Sequence, residues 1–177
     1  AVSLWRDGRA TTPVVLLVGA GRTRHLADVL SSALGQRDTA GPLQLSYDPR
    51  EGPMHFSARV VTVNPESPGN GAALPVLPRE AARTSAVFPG LSGRRDDASE
   101  AFRVNAGAFN PHDGPVELFF GLYDGDGREL GTFTRTLGPG GWLQVNDVFR
   151  EVGAGAAATE GAVLSFFSTL PVFPFVI

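Results

Sequence analysis

The sequence contains neither cysteine nor lysine, and these two absences exclude several kinds of chemistry. Without cysteine, the chain can form no disulfide and no thiolate metal site. Without lysine, it has no Schiff-base nucleophile, no lysine general base and no P-loop lysine. Every apolar run is shorter than the roughly 18 residues that a membrane-spanning helix needs, so a membrane span is also excluded.

Charge of one sign is not concentrated anywhere in the chain. The 15 basic residues, all arginine, and the 18 acidic residues are interspersed and give a net charge of −3. Because a nucleic-acid partner requires a basic face, none is expected. The 22 glycines and 14 prolines favour a turn-rich, strand-rich fold over a helical bundle. The sequence begins at Ala1 without a methionine or a signal peptide, which we interpret as a processed product or a fragment.

An internal repeat is indicated when the sequence is compared with itself at an offset of 119 positions. Identical residues then coincide mainly at turns and at one Asp-Val pair. The coinciding positions are Asp7-Gly8-Arg9 with Asp126-Gly127-Arg128, Gly19 and Gly21 with Gly138 and Gly140, Asp28-Val29 with Asp147-Val148, Leu45-Ser46 with Leu164-Ser165, and Phe56 with Phe175. The chain would then hold about one and a half units.

Alternating apolar residues between turn signals predict strands along most of the chain. The predicted strands are AVSLW (1–5), PVVLLV (13–18), PLQLSY (42–47), MHFSARVVTV (54–63), SAVFPGL (85–91), FRVNAGAFN (102–110), VELFFGLYD (116–124), GTFTRTL (131–137) and AVLSFFST (162–169). The sequence DGDGRE (124–129) predicts a hairpin connection. Two short helices are predicted, at residues 28–35 and 147–154, because each segment opens on an aspartate suited to the N-cap.

These elements predict an all-β fold: an Ig-like β-sandwich of tandem, partly incomplete repeats, each with one short helix. We expect a first unit over residues 1–78 that lacks its opening strands, a linker and entry hairpin over 79–98, and a second unit over 99–177. A strand, a turn and a capped helix would form the same corner in each unit. The residues assigned to these structural corners are Gly19, Gly21, Asp28 and Val29 in the first unit, and Gly138, Gly140, Asp147 and Val148 in the second.

The stretch VVLLVGAGRTRHLADVL (14–30) admits a second interpretation, as the phosphate loop of a dinucleotide enzyme. Gly19-Ala20-Gly21 would be the first half of G-x-G-x-x-G, and Asp48 could bind a ribose. Arg24 occupies the third glycine position, where its side chain would obstruct close contact between helix and strand. The second copy replaces Gly-Ala-Gly-Arg by residues 138–141, GPGG, which carry no such fingerprint. A backbone turn is therefore favoured over a cofactor site.

The remaining candidates for chemistry are also better explained structurally. Asp124, Asp126 and Glu129 suggest calcium, but glycine stands at the fourth and not the sixth position that an EF-hand loop requires. His25, His55 and His112 share no metal-ligand spacing. GLSG around Ser92 lacks the last glycine of a nucleophile elbow. No catalytic residue, cofactor site or metal site is predicted.

Three motifs together resemble a known kind of module. They are FRVNAGAFN (102–110), the hairpin DGDGRELG (124–131) and PGGWLQVNDVF (139–149), and GRTRHLADVLSSALG (21–35) resembles the same corner in a preceding module. They look like uncharacterised, Ig-like β-sandwich repeat modules of secreted proteins from GC-rich bacteria. The resemblance implies a secreted, non-catalytic β-sandwich. SFFSTLPVFPFVI (165–177) is shorter than the usual end of such a module.

Three functions are compatible with these observations. The first is a non-catalytic extracellular β-sandwich module with a scaffolding, adhesion or positioning role, whose partners are proteins: neighbouring domains or further copies. The second is a self-assembling subunit of a surface layer or filament, since an incomplete first unit and the apolar end FPFVI (173–177) leave sheet edges for strand addition. The third is a dinucleotide-dependent enzyme acting through Gly19-Ala20-Gly21. We expect the first of these functions, the non-catalytic extracellular module, and a homo-oligomer is compatible with it.

Overall fold

A computed structural model describes residues 1–6, 8–37, 39–61, 71–93, 103–154 and 159–177. Strands dominate it. They are β1 (Val2–Arg6), β2 (Arg9–Ala10), β3 (Leu43–Leu45), β4 (Ala58–Val61), β5 (Gly71–Leu74), β6 (Arg83–Gly93), β7 (Ala106–Phe109), β8 (Val116–Tyr123), β9 (Glu129–Leu137), β10 (Trp142–Val145) and β11 (Thr159–Val176). The helical elements are short: a π-helix at Val29–Ala33, 3₁₀ turns at Pro49–Glu51 and Arg79–Ala81, and α1 (Val148–Glu151).

The largest sheet system has six strands and is organised around β11. The first part of β11 lies between β6 and β8, and β9 follows β8 through a hairpin. The last part of β11 pairs with β7, which in turn pairs with β10. All of these pairs are antiparallel, and the two halves of the system form a half-barrel because they share one long strand.

β11 changes partners at a break in its register between Phe167 and Val172. Pro171 lies inside this break, where a residue without an N–H group costs no ladder hydrogen bond. The buried Ser168 hydroxyl donates to the Leu170 carbonyl at 2.8 Å and so satisfies an acceptor at the irregularity. A bulge of this kind bends a strand, and here it allows one strand to pass from one half of the sheet system to the other.

The hydrophobic core lies between the two halves of this system and under α1. In β8 every second residue is buried, so one face of this strand forms the centre of the core while the other faces outward. The buried members of the core are Ala106, Ala108, Val116, Leu118, Phe120, Leu122, Phe133, Leu137, Val145, Val148, Phe149, Ala162, Leu164, Phe166 and Val172. Every one of them comes from β7–β11 or α1, so residues after 103 supply this core, while Val2 and Leu4 of β1 are buried outside it.

The first strands form a separate three-stranded sheet in the order β2-β1-β3. This sheet contacts the larger system through Trp5, whose ring meets the Phe109 ring edge-on at 5.6 Å. Phe109 stacks on Phe173 at 6.2 Å, so three aromatic rings connect β1, β7 and β11. The Trp5 Nε1–H donates to Gln44 Oε1 at 2.8 Å, which fixes the indole against β3. β4 and β5 form an additional two-stranded hairpin.

The predicted all-β class is confirmed, with antiparallel strands as the main element, but several boundaries differ from the prediction. In PVVLLV, only Val14 makes a strand-like bridge, to Val2. Residues 54–57 and 103–105 are not strand. Residues 83–93, expected partly as linker, form β6 against β11. A segment forms a strand only beside a hydrogen-bonded neighbouring strand. The periodicity of the segment's own sequence does not show whether such a neighbour exists.

The two predicted helices exist but are shorter than expected. The segment after Asp28 forms a five-residue π-helix with no buried residue. The segment after Asp147 forms one α-helical turn that buries Val148 and Phe149. Residues 94–102, which include the end of the predicted linker, lie outside the described residues, and so do Asp7 and residues 62–70 of the predicted first unit.

Candidate functional site

The two predicted Asp-Val corners have closely similar local geometry. Asp28 (φ 49°, ψ 61°) and Asp147 (φ 62°, ψ 80°) both adopt the left-handed conformation, and among described non-glycine residues only these two have positive φ. Each carboxylate accepts a hydrogen bond from the backbone N–H three residues later, at 3.3 Å in both corners. Aspartate tolerates this conformation better than most residues, since its short side chain can bond locally.

Two glycine pairs at the same offset also share left-handed conformations. Gly8 (φ 76°) coincides with Gly127 (φ 83°), and Gly21 (φ 65°) coincides with Gly140 (φ 55°). The other two glycines assigned to the corners, Gly19 and Gly138, have no positive φ. Two glycines and one aspartate in each predicted unit therefore have the left-handed conformation at coinciding positions, and such residues set the backbone direction in tight turns.

The strands between these turns do not follow the uniform offset. Leu4 and Leu122 are both fully buried, and their strand partners are Leu43 and Leu164, so these leucines occupy matching places in the two sheets. Leu4 and Leu122 are therefore one position closer in sequence than the 119 positions that separate the coinciding turn residues. The second hairpin has a longer loop, closed by a hydrogen bond from Asp124 N–H to the Arg128 carbonyl, and this loop absorbs the difference.

The Gly19-Ala20-Gly21 loop is an exposed turn, closed by the Arg22 N–H bonding to the Gly19 carbonyl at 3.0 Å. It is not followed by a long helix, since the next helical element is the π-helix at Val29–Ala33. All described strand pairs are antiparallel. The parallel βαβ unit of a dinucleotide site is therefore not formed by these residues, and Gly19 and Gly21 shape only a turn here.

The acidic hairpin loop uses its carboxylate on its own backbone. Asp124 Oδ1 accepts from the N–H of Asp126 at 3.0 Å and from the N–H of Arg128 at 2.8 Å. This is an Asx turn, which explains the Asp-Gly sequence without calcium. Within the described ranges, no group of three His, Asp or Glu side chains is placed to hold a metal ion.

The three histidines lie in unrelated places. His25 and His55 are exposed. His112 is half-buried, and its Nε2 donates to the Pro171 carbonyl at 2.7 Å, next to the break in β11. This contact connects the loop before β8 to the point where β11 changes sheets, so the role visible for His112 is to connect two loops.

A buried asparagine that was not singled out for its chemistry connects three segments. The Asn110 side chain is fully buried, and its Nδ2 donates to the carbonyls of Gly114 and Gly138 at 2.8 Å and of Leu137 at 3.2 Å. Its Oδ1 accepts from the His112 N–H at 2.9 Å. Asn110, the last residue of FRVNAGAFN (102–110), therefore anchors the loops around it, which explains its residue type.

One exposed apolar surface, which we call the outer face, is the solvent side of β6, β11, β8 and β9. Phe167 pairs across the strands with Phe119 and with Ser85, and Phe119 pairs with Thr134. The two rings are 6.0 Å apart. Val87, one row away on β6, is 65% exposed, while Phe167 is 53% and Phe119 37% exposed. Hydroxyl groups of β9 border this aromatic strip.

A shallow depression of about 240 Å³ lies beside Phe119 on this face. Glu117, Thr134, Arg135 and Thr136 complete its lining. Arg135 pairs with Glu151 of α1 and stands 5.4 Å from the centre of the Phe133 ring, so its charge is already partnered. The outer face thus offers aromatic rings, hydroxyl groups and the Glu117 carboxylate, which suits surface contact better than acid–base chemistry.

A second exposed surface is the apolar segment, Val14–Val18. Val14 exchanges both backbone hydrogen bonds with Val2, at 2.8 and 2.9 Å. After that bridge, residues 15–18 make no backbone–backbone hydrogen bond within the described part of the chain. Val15 is 72% and Leu17 84% exposed. Arg24 Nη1 donates to the Leu17 carbonyl at 3.2 Å.

One exposed ion pair changes a pKa. The hydrogen bonds from the Arg50 side chain to Asp48, with a smaller contribution from the Arg50 backbone N–H, hold the pKa of the Asp48 carboxyl below its usual 3.8. The same contact raises the pKa of Arg50. Asp48 was the candidate ribose ligand. In the structure its carboxylate caps the 3₁₀ turn at Pro49–Glu51 by accepting the Arg50 N–H.

Comparisons with known proteins give a structural likeness only. No family model and no curated protein matches the sequence. The solved structure of the Anabaena sensory rhodopsin transducer is similar to this chain, with a TM-score of 0.44 and 15% sequence identity, over 54% of this chain and 94% of the transducer. A likeness of this size carries no conclusion about function. None of the helices in the described residues has the length and apolar character to cross a membrane.

Proposed function

We propose that this chain is a non-catalytic, extracellular β-sandwich module with a scaffolding, adhesion or positioning role, and that the outer face contacts its protein partner. The outer face is the observation that carries the proposal. Contiguous exposed apolar residues on a soluble protein mark contact sites. Here Phe167 lies opposite Phe119, and Val87 lies one row away on β6. Aromatic residues are also enriched at the energetic centres of protein interfaces.

The proposal includes tandem, Ig-like repeats. Three pairs of left-handed turn residues at one offset support it: Gly8 with Gly127, Gly21 with Gly140, and Asp28 with Asp147. The strand order β2-β1-β3 corresponds to β9-β8-β11, since in each case a hairpin is followed by a third strand beside its first strand. A module that repeats in tandem presents its neighbours in a fixed order, which suits a positioning role.

Two things test this proposal: the reading frame that encodes the chain, and the domain that lies next to the chain in that frame. We expect a signal peptide, further copies of the corner, and antibody labelling of intact cells. We also expect the neighbouring domain to bind, and Val87→Ser with Phe167→Ser to weaken that binding at least tenfold. Val60→Ser is the matched control, because Val60 is an exposed valine on β4, away from the outer face. Labelling only after lysis would contradict the proposal.

A second candidate function is self-assembly into a surface layer or filament. The observation that favours it is the apolar segment, which extends an antiparallel bridge and then lacks a partner strand in the described structure. The end FPFVI is less available than the sequence suggested, because Phe173–Val176 pair with β7. Particle size in solution tests this function, since a monodisperse monomer at high concentration would exclude it.

A further inference from the structure

We propose that the chain cleaves itself at the Asp48–Pro49 peptide bond, with the Asp48 carboxylate as the nucleophile and Arg50 as the residue that restrains it. This single-turnover reaction goes beyond the proposed function and does not depend on it. Three observations carry the inference: the hydrogen bonds of the turn at Pro49–Glu51, the ion pair that holds the carboxylate, and the place of this bond between the sheets.

The turn brings a nucleophile, an electrophile and a hydrogen-bond donor to one exposed peptide bond. In Asp48 only Cβ and Cα separate the carboxyl carbon from the backbone carbonyl carbon, so attack of a carboxylate oxygen on that carbonyl closes a five-membered ring. The Asp48 carbonyl oxygen, on which negative charge develops during the attack, accepts the Glu51 N–H at 3.1 Å. A backbone donor in this position stabilises the tetrahedral intermediate of acyl transfer.

Pro49 supplies the leaving group, and Asp48–Pro49 is the one Asp-Pro sequence in the chain. The proline nitrogen belongs to a tertiary amide, so it is more basic than the nitrogen of an N–H amide and accepts a proton more readily. The bond between the carboxylate oxygen and the carbonyl carbon forms, the C–N bond breaks, and the Pro49 nitrogen keeps the electron pair and takes a proton from solvent. Water then opens the cyclic anhydride and leaves Asp48 with two carboxyl groups. The net change is hydrolysis of one peptide bond by one water molecule.

Arg50 restrains the nucleophile by binding both of its oxygens. The Arg50 Nε donates to Asp48 Oδ1 at 3.0 Å and to Oδ2 at 3.1 Å, and Nη2 donates to Oδ2 at 2.6 Å. The Arg50 backbone N–H adds a hydrogen bond to Oδ1 at 3.0 Å. While these bonds persist, neither oxygen can approach the carbonyl carbon. An exposed ion pair contributes little to the stability of the fold, so its main effect here is on the reactivity of Asp48.

The bond lies between two parts of the chain that share no described strand pair. β1, β2 and β3 all precede Asp48, and the strands β4 to β11 all follow Pro49. Cleavage therefore leaves each of these sheets intact. Residues 1–48 and 49–177 then stay together through side-chain contacts such as that of Trp5 with Phe109. The reaction thus converts a covalent connection between the first sheet and the core into a non-covalent one.

Incubation of the purified chain at about pH 4 tests the reaction. The Asp48 carboxylate stays mostly ionised there, because Arg50 holds the pKa of its carboxyl below 3.8, and the solvent supplies the proton for the Pro49 nitrogen. We expect mass spectrometry to show slow formation of two fragments, residues 1–48 and 49–177. Pro49→Ala removes the tertiary amide and Asp48→Glu enlarges the ring to six atoms, so each should slow cleavage at least tenfold. Cleavage that these variants do not slow would overturn the proposal.

Arg50→Ala tests the restraint. We expect it to accelerate cleavage of the folded chain at least threefold, and Arg50→Lys, which keeps the charge but has fewer donors, to have a smaller effect. Arg79→Ala is the matched control, because Arg79 is also an exposed arginine that follows a proline in a 3₁₀ turn. Loss of Arg50 raises the pKa of Asp48 and cannot increase its ionised fraction, so faster cleavage reports release of the carboxylate. Equal rates for Arg50→Ala and Arg79→Ala would overturn the restraint.

Urea separates the contribution of the turn from that of the Asp-Pro sequence alone. In the unfolded chain the Glu51 N–H and the Arg50 side chain no longer hold their positions, so we expect the native sequence and Arg50→Ala to cleave at equal rates. We expect the folded Arg50→Ala variant to cleave faster than the unfolded chain, with circular dichroism at the same pH as the measure of folding. A folded variant that cleaves no faster than the unfolded chain would overturn the proposal. An intact chain in every arm would also overturn it and leave the outer-face module unaffected.

Discussion

Asp28 and Asp147 adopt the same left-handed backbone conformation and accept the same capping hydrogen bond, although they lie 119 positions apart. Their surroundings differ. The helical turn after Asp147 buries Val148 and Phe149, and its backbone is anchored by Asn105, whose Oδ1 accepts from the Asp147 N–H at 3.1 Å. The turn after Asp28 buries no residue. One local structure therefore serves the core in one unit and only a surface in the other.

Substitutions of Asp147 should separate its two contributions to stability, which are its tolerance of the left-handed backbone and its capping hydrogen bond. Asp147→Ala introduces left-handed strain of about 1 kcal/mol and removes a cap of about 1 kcal/mol, so we expect unfolding to become about 2 kcal/mol easier. Asp147→Gly removes only the cap and should cost about half as much, while Asp147→Asn should cost little. Urea unfolding of the three variants measures this order. An alanine variant as stable as the glycine variant would contradict the strain argument.

The same alanine substitution at Asp28 is expected to have a smaller effect on global unfolding. The helical turn that it caps buries no side chain, so local fraying there leaves the core intact. We expect Asp28→Ala to change the free energy of unfolding by less than about 0.5 kcal/mol, and to increase hydrogen exchange at the Ser31 and Ser32 amides. A loss as large as that of Asp147→Ala would show that the first corner supports the core.

Asn110→Ala is expected to be strongly destabilising. It removes the donors to two partly buried carbonyls and the acceptor of the His112 N–H, and it leaves a cavity. Unsatisfied buried groups cost about 1–3 kcal/mol each, so we expect a loss of about 3 kcal/mol in thermal or urea unfolding. Asn146→Ala is the control, because Asn146 is exposed and its side chain bonds only Gln144. Similar losses for both variants would contradict the anchoring role.

Gly107→Ala should disrupt the pairing of β7. A Cβ at this position would overlap the Leu143 carbonyl of β10 and stand 2.6 Å from Phe175 Cζ of β11, so the backbone of β10 and the ring of Phe175 would have to move. Overpacking of this kind costs about 3 kcal/mol or more when backbone must shift. Gly138→Ala is the matched control, since its Cβ would meet no atom within 4 Å and its φ is unstrained. Calorimetry should show a lower melting temperature for the first variant only.

The pKa of Asp48 should depend on Arg50. Arg50→Ala removes the side-chain hydrogen bonds but keeps the backbone N–H, so we expect the pKa of Asp48 to rise part of the way to its usual 3.8. A lowered folded pKa stabilises the folded state above the unfolded pKa, and this contribution disappears as pH falls through the folded value. NMR titration of the Asp48 carboxyl measures the shift, with Arg79→Ala as control. An Asp48 pKa that is the same in the Arg50→Ala and Arg79→Ala variants would contradict the pairing of Asp48 with Arg50.

The sequence was informative where local chemistry decides the structure. Alternation in VELFFGLYD predicted β8 closely, because Val116, Leu118, Phe120 and Leu122 are buried while Glu117 and Phe119 between them are exposed. The Asp-Gly sequence predicted the hairpin, and the aspartates before Val29 and Val148 predicted both helical turns. These features depend on residues close together in sequence, which a single chain displays directly.

The sequence was misleading where a distant partner decides the structure. PVVLLV has strand composition, but beyond Val14 it lacks a described neighbour and forms no strand. The uniform repeat offset concealed the longer second hairpin loop. It also aligned Leu45 with Leu164, whereas the sheets align Leu43 with Leu164. The outer face was missed for a related reason: alternation marks Phe119 and Phe167 as facing away from the core, but only strand pairing brings them together.

The pairing of β11 determines when the core can fold during translation on the ribosome. The strands β6, β7 and β8 all pair with Thr159–Val176, which is translated after each of them. Until that segment emerges from the exit tunnel, the apolar sides of these strands have no completed sheet to join. The core can therefore fold only after Thr159–Val176 has emerged, and until then the nascent chain is a natural client for chaperones that shield strand edges.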